Sequence, residues 1–185
     1  PGNPDYLNTL KNIFVSTHPD TLRAASRQAA ALMIQDIPQV MDAEGLDTAI
    51  LMAVPRSKSG MCNWQLGFKA AVRTTVKALQ ADGLSVIDGT DFIFRHTSTK
   101  MTHLRKPVSN FENTGSEPYP GITKDTCDIQ NEYIKGRTVI LIDDIYTKTV
   151  NVDEDCIQAL YDAGAAHVIF YAVAYTNRNA YKRGA

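Results

Sequence analysis

Two adjacent carboxylates, Asp143 and Asp144, close an apolar run in the stretch "VILIDDIYTKTVN" (139–151). A carboxylate pair suits the grip of a diol, because ionised acids only accept hydrogen bonds and hydroxyls can donate them. The residues that follow suit an anion. Asn151 can cap the next helix, and Glu154 three residues on completes a capping-box pattern. The turn 146–150 therefore brings backbone N–H groups to a helix N-terminus, where negative charge is favoured. Thr147 and Thr149 add hydroxyls there, and Lys148 adds a positive charge. Diol grip and phosphate pocket together suggest a sugar-phosphate ligand. Ordinary turn chemistry also accounts for an Asp pair after a strand, and the residues by themselves leave both readings standing.

These side chains need a scaffold, and the last third of the chain supplies one. A strand over 138–143, a helix from about Val152 to Ala163 capped by Gly164, and the apolar strand "HVIFYAVAY" (167–175) form a βαβ unit. Its nearly unbroken apolar strands suit a parallel sheet covered on both faces, and ligands of such sheets bind beyond the carboxyl ends of the strands. Upstream, "TAILMAV" (48–54) reads as a buried strand stopped by Pro55. Phe68, Ala71, Val72, Thr75, Val76 and Leu79 follow helical spacing, and Gly83 sits just past their end. Thr17, Pro19 and Asp20 mark a helix start, and Leu22, Ala25, Ala29, Leu32 and Met33 share one face. Pro38 is expected to stop or bend that helix. Short strands are expected near 84–88 and 91–95. The polar stretch from His96 to about Asp128 has little periodicity and is long for a loop in a compact domain.

The totals narrow the class. With 185 residues and a net charge of −1, the chain is sized for one domain and shows no bias toward nucleic acid or a membrane surface. Its apolar runs are strand-sized, short of the ~20 residues of a membrane helix. Cys62, Cys127 and Cys156 form no CxxC pair, which argues against a zinc ribbon or disulfide framework and fits a cytoplasmic setting.

The stretch 139–151 resembles the signature of the type I phosphoribosyltransferases: an apolar strand, two acids, an apolar residue, then a loop opening a helix. The resemblance spans roughly 48–176, with 138–164 its specific part. It implies an α/β fold with a parallel-sheet, three-layer, Rossmann-like core. The core would cover about 46–95 and 134–176, and a variable hood or flexible segments about 1–45 and 96–133. It further implies that Asp143 and Asp144 hold the ribose hydroxyls of phosphoribosyl pyrophosphate and bind Mg2+. Thr147, Lys148, Thr149, Val150 and Asn151 would cradle the 5-phosphate. "AVPRSKSG" (53–60) stands where the family binds pyrophosphate, with Arg56, Ser57 and Lys58 available. "FRHTSTKMTHLRKPVSNF" (94–111) stands where the family has a mobile closing loop, and its spacing is similar to the ComF and amidophosphoribosyltransferase-like branch. That position gives Arg95 and Lys100 catalytic roles and makes Arg105, His96 and His103 loop candidates. Tyr146, Tyr171 and Tyr175 lie near strand ends, where a nucleobase could stack.

The implied reaction moves the phosphoribosyl group to a nitrogen acceptor, a nucleobase or amine, with release of pyrophosphate, and the implied partners are that sugar phosphate and a second subunit in a homodimer. One departure bears on activity. The family's phosphate loop usually holds a glycine, whereas 147–151 has none, and glycine serves where backbone must approach an anion closely. The alternative is therefore a non-catalytic sensor of phosphoribosyl pyrophosphate or a nucleotide on the same fold.

Overall fold

The unbroken apolar strands are buried on both sides because helices cover both faces of one parallel sheet. The computed structural model describes residues 4–101, 109, 112–115, 122–123, 125–146 and 152–175. Strands β1 (Ala49–Ala53), β2 (Val86–Asp88), β5 (Thr138–Tyr146) and β6 (His167–Tyr175) lie in the order β2-β1-β5-β6, every pair parallel. All five residues of β1 are buried. Ala49, Leu51 and Ala53 turn to one face, with Ile140 and Ile142 of β5. Ile50 and Met52 turn to the other, with Val139 and Leu141. Successive strand side chains point to opposite faces, so a strand that is apolar throughout needs two covering layers.

The first layer comprises α1 (Asp5–Lys11), α2 (Pro19–Ala43) and α3 (Gly67–Ala81). Leu7, Leu10, Ala29, Met33, Phe68 and Val72 pack from these helices into one core with the sheet. The second layer is α4 (Asn131–Ile134), α5 (Val152–Asp162) and an antiparallel ribbon of β3 (Ile93–Arg95) with β4 (Cys127–Ile129). Ile93, Cys127, Ile134, Cys156 and Leu160 fill this second core. The three-layer α/β architecture with a parallel sheet is the one expected. Part of the 1–45 segment assigned to a hood, α2, is packed directly in the first core.

Four local expectations change. Pro38 does not end α2, which continues to Ala43 with the proline inside it. An interior proline costs roughly 3 kcal/mol, yet Ile37 and Met41 on either side of it are buried, and each contributes about 1.5–3 kcal/mol. The helix therefore gains more by continuing. The Gln39 side-chain amide also donates to the Gln35 carbonyl at 2.9 Å, one turn back across the proline. The cap is His18 rather than Thr17: its Nδ1 accepts from the Asp20 N–H at 3.3 Å, with Pro19 in the first turn. Leu32 lies off the buried stripe and is exposed. Finally, β4 breaks the long polar stretch, pairing Ile129, Asp128 and Cys127 with Ile93, Phe94 and Arg95.

β5 also runs three residues further than its apolar run suggests. Asp143 stands opposite Ala172 and Tyr146 opposite Tyr175, so the acids lie within the ladder to β6. On the other side β1 stops at Ala53, opposite Ile142. The acid pair thus overhangs the end of β1 while β6 still supports it.

Candidate functional site

The chain leaves β1 beside this overhang. The Val54 N–H donates to the Ile142 carbonyl at 2.9 Å, which sets the 54–60 loop against the first acid. Arg56 follows two residues later. Burial lowers the pKa of its guanidinium, while the charges of Asp144 and then Asp143 act to raise it. Arg56 also donates to the Lys11 carbonyl at 3.0 Å. Two motifs nearly ninety residues apart are thereby joined in one electrostatic unit through neighbouring strands of the sheet.

The 54–60 loop is pinned from its other side by residues 95–99. Arg95 Nε donates to the Arg56 carbonyl, and its Nη1 reaches the Thr97 carbonyl. The Thr99 N–H and hydroxyl both donate to the Ser57 carbonyl, at 2.7 and 3.3 Å. The Ser59 N–H donates to the Ser98 hydroxyl at 3.1 Å, and the two serine hydroxyls are 3.0 Å apart. Arg95, which falls both in the short strand expected near 91–95 and at the start of the 94–111 loop, lies in β3, 6 % exposed, where burial lowers its pKa. The pairing of β3 with β4 fixes it there, and its contacts make it a brace for the loop that carries Arg56.

Lys58 donates to the Thr114 carbonyl, and burial, then the nearby charge of Lys100, lowers its pKa. The structure thus brings Lys100 beside the same loop. Met101 is buried, and the Asn113 side chain bonds both its N–H, at 2.7 Å, and its carbonyl, at 3.0 Å. Gly115 packs so closely that an added Cβ would lie 2.6 Å from the Thr99 carbonyl carbon, and its φ of +128° disfavours other residues in any case.

The acids differ from one another. Both are half-buried, but the Asp143 carboxyl is the one turned to Asp153. Desolvation, then the charges of Asp144 and Asp153, pushes its pKa well above the carboxylate range, and it shares a hydrogen bond with Asp153. Asp153, in the first turn of α5, is 4 % exposed, and desolvation raises its pKa to about 6. Its Oδ1 is buried with no hydrogen-bond partner among the described residues. Two carboxyls this close favour holding a proton between them. Asp153 is the residue that sequence reasoning missed. The available signal was its place in the first turn of the helix after the acid pair, but Glu154 took the attention as a capping residue. Glu154 accepts the Tyr146 hydroxyl at 3.1 Å.

Thr147, Lys148, Thr149, Val150 and Asn151 lie outside the described residues, as do His103 and Arg105. His96 is near the Thr97 hydroxyl, 2.9 Å, and 4.0 Å from Asp128. Tyr171 donates to Asp36 at 2.7 Å and packs on the first core, whereas Tyr146 stacks on Tyr175 with centroids 5.9 Å apart. Among the described residues no cluster of three or more His, Cys, Asp or Glu side chains could cage a metal. Mg2+ keeps several waters and takes one or two carboxylates alongside substrate phosphates, and Asp144 fits that lighter demand while Asp143 is engaged with Asp153. No described helix is long and apolar enough to cross a membrane.

No family model matches the chain, and no curated protein does. Among solved structures there is likeness to one described as the allosteric regulatory enzyme of purine biosynthesis, at 13 % identity and a TM-score of 0.38. The match covers 80 % of this chain and 25 % of that one, so the chain corresponds to about a quarter of that protein's length. The fold stated above rests on its own strand order and layers.

Proposed function

We propose that the protein binds phosphoribosyl pyrophosphate where β5 overhangs β1 and transfers its phosphoribosyl group to a nitrogen nucleophile. The observation that carries this reading is that the loop leaving β1 with Arg56 starts beside Ile142, next to the acid pair, within range of the charges of Asp144 and Asp143: a cationic loop for a diphosphate neighbours a carboxylate pair for a ribose. Asp144 accepts hydrogen bonds from the ribose hydroxyls. Asp143, paired with Asp153, braces that end of the strand, and Asp144 would be the carboxylate that holds Mg2+ alongside the diphosphate. When bound, the metal supplies charge neutralisation at the diphosphate. The carbon–nitrogen bond forms at C1 as the bond to pyrophosphate breaks, and the nitrogen then loses a proton to solvent. Arg56 and Lys58 offset the charge of the departing pyrophosphate, as donors already in place do with least reorganisation.

The test is calorimetric titration of phosphoribosyl pyrophosphate with and without Mg2+. Saturable binding that Mg2+ strengthens is expected, with a loss of at least about tenfold in affinity for Asp144→Asn, the scale of a hydrogen bond to a charged group, and an unchanged melting temperature. Equal affinity in the variant would remove the ribose-grip role.

A second reading, a sensor that binds the same ligand without turning it over, is favoured by the glycine-free 147–151 segment. It gives the same titration but no pyrophosphate release with any nitrogen acceptor.

A further inference from the structure

Beside the overhang, and sharing Arg56 and Lys58 with it, lies a cavity of about 220 Å³ between the 54–66 segment, the first turn of α3 and β3. Neither Asp143 nor Asp144 lines it. Its lining is chemically one-sided. Arg56, Lys58, Lys69 and Arg95 contribute four cations, and among the described residues that line it there is no carboxylate. Lys69 is matched by Asp91 at 2.6 Å, and Arg95 is directed to backbone carbonyls. Arg56 feels the charges of Asp144 and Asp143 from outside the lining, whereas Lys58 donates to a backbone carbonyl, so the charge left for a ligand is concentrated at Lys58 with Arg56 beside it. Apart from the neutral polar residues Ser59, Gln65 and Thr90 the remainder is apolar: Met61, Phe68 and Ile93 are among the walls, and Phe94, 62 % exposed, belongs to the lining as well.

A cavity of ~150 Å³ with apolar walls already admits benzene, so this one has room for a ring and a substituent. Phosphate or pyrophosphate alone would leave the apolar walls wet, and a neutral hydrocarbon would leave the cations unmatched. An aromatic ring gains from Phe94, which is open to solvent, and from the Met61 thioether. A carboxylate on that ring meets a guanidinium fork and an ammonium.

We infer that this cavity is a binding site for a small aromatic carboxylate, with the acid held by Arg56 and Lys58 and the ring against Met61, Phe68 and Phe94. Binding itself stands apart from the phosphoribosyl reading. Its consequence rests on that reading: the aromatic acid takes the cations assigned to the diphosphate, so the two ligands exclude each other and the site acts as a competitive control point.

The probe is 2-naphthoate, titrated calorimetrically into the unmodified protein, with 2-naphthamide as the neutral match. Trp64, the sole tryptophan and next to the lining residue Gln65, gives a fluorescence check. Saturable 1:1 binding of naphthoate is expected, at least about tenfold tighter than naphthamide, the scale of a charge-assisted hydrogen bond. Lys58→Ala is expected to erase most of that preference. Phe94→Ala, a change at an exposed position, is expected to weaken naphthoate and naphthamide alike by about threefold or more, as loss of an aromatic contact does. Equal binding of acid and amide overturns the site, and so does naphthoate binding that neither variant alters. Competition is read separately by titrating phosphoribosyl pyrophosphate into the naphthoate complex. If naphthoate binds and phosphoribosyl pyrophosphate does not bind the free protein, the cavity stands and the transferase reading falls. If both bind at once, the control role falls.

Discussion

The two halves of the candidate site are held in opposite ways. The 54–60 loop is fixed by polar bonds from residues 95–99, most of them to its backbone. The acid pair is fixed by a strand ladder on one side and by a carboxyl–carboxyl contact to α5 on the other. The difference separates two kinds of precision. Backbone-directed bonds place the loop, and among the described residues its two cationic side chains donate only to single neutral carbonyls, of Lys11 and Thr114, which a charged ligand can outcompete. The acid side spends one of its two carboxylates on structure, leaving Asp144 as the one to face a ligand.

That contrast can be broken at three points. The largest expected effect is at Arg95. Arg95→Met keeps the apolar bulk but strands the Arg56 carbonyl, and an unpaired buried polar group costs about 1–3 kcal/mol. Chemical denaturation should show a loss of that size, accompanied by weaker binding of any diphosphate. A destabilised variant with unchanged diphosphate affinity would mean that the brace serves the core alone.

Next comes Asp153. Its pKa is raised to about 6 from an ordinary value of 3.8, with desolvation the first cause. The folded state therefore holds more protons than the unfolded chain between these values. Stability is highest at the acidic end of this window and falls as pH rises from about 4 to about 6, then stays lower. Because the proton is shared with Asp143, only part of the shift belongs to Asp153, an effect of about 1–2 kcal/mol. Asp153→Asn should recover that amount at pH 8 and flatten the slope between pH 4 and 6, as read from denaturation midpoints at a series of pH values. A variant less stable at pH 8 would show that the charge on Asp153 is matched by a partner.

The smallest effect is at Ser98. Ser98→Ala removes the acceptor of the Ser59 N–H in a part-buried setting, at a cost of about 0.5–1.5 kcal/mol. The amide of Ser59 should exchange faster with solvent while core amides do not change, which separates the loop from the sheet it leaves.

Much of this arrangement is legible in the chain, and the boundary between what is and what is not has physical causes. Period and length mark β1, α3, α5 and β6, because apolar burial dominates there. The three-residue strands β3 and β4 carry little periodic signal, and β4 depends on a partner more than thirty residues away. A strand is legible near 91–95, but the partner that buries Arg95 at its end is not, so the residue also reads as the first cation of the loop. Pro38 misleads in the opposite sense, since a local rule yields to a long buried stripe. In the site, the types of Arg56 and the acid pair indicate chemistry, but the capture of Asp143 by Asp153 arises only when α5 packs back on β5. No spacing rule contains that contact.

The strand order has a consequence for the order of assembly. β1 lies next to β5 in the sheet, yet Ile50 meets Val139 only across nearly half of the chain, whereas β5 and β6 are joined by a single helix. Closing the longer span costs more chain entropy and slows the step that needs it. The β5–α5–β6 unit and the β1–α3–β2 unit are thus expected to form first and to dock later along the β1–β5 seam. Pulse-labelled hydrogen exchange during refolding should show β6-facing amides of β5 protected ahead of the Val54 amide, and simultaneous protection would rule out that sequence. Arg56 and the acid pair come from opposite sides of this seam, so the candidate site would be the last part of the molecule to exist.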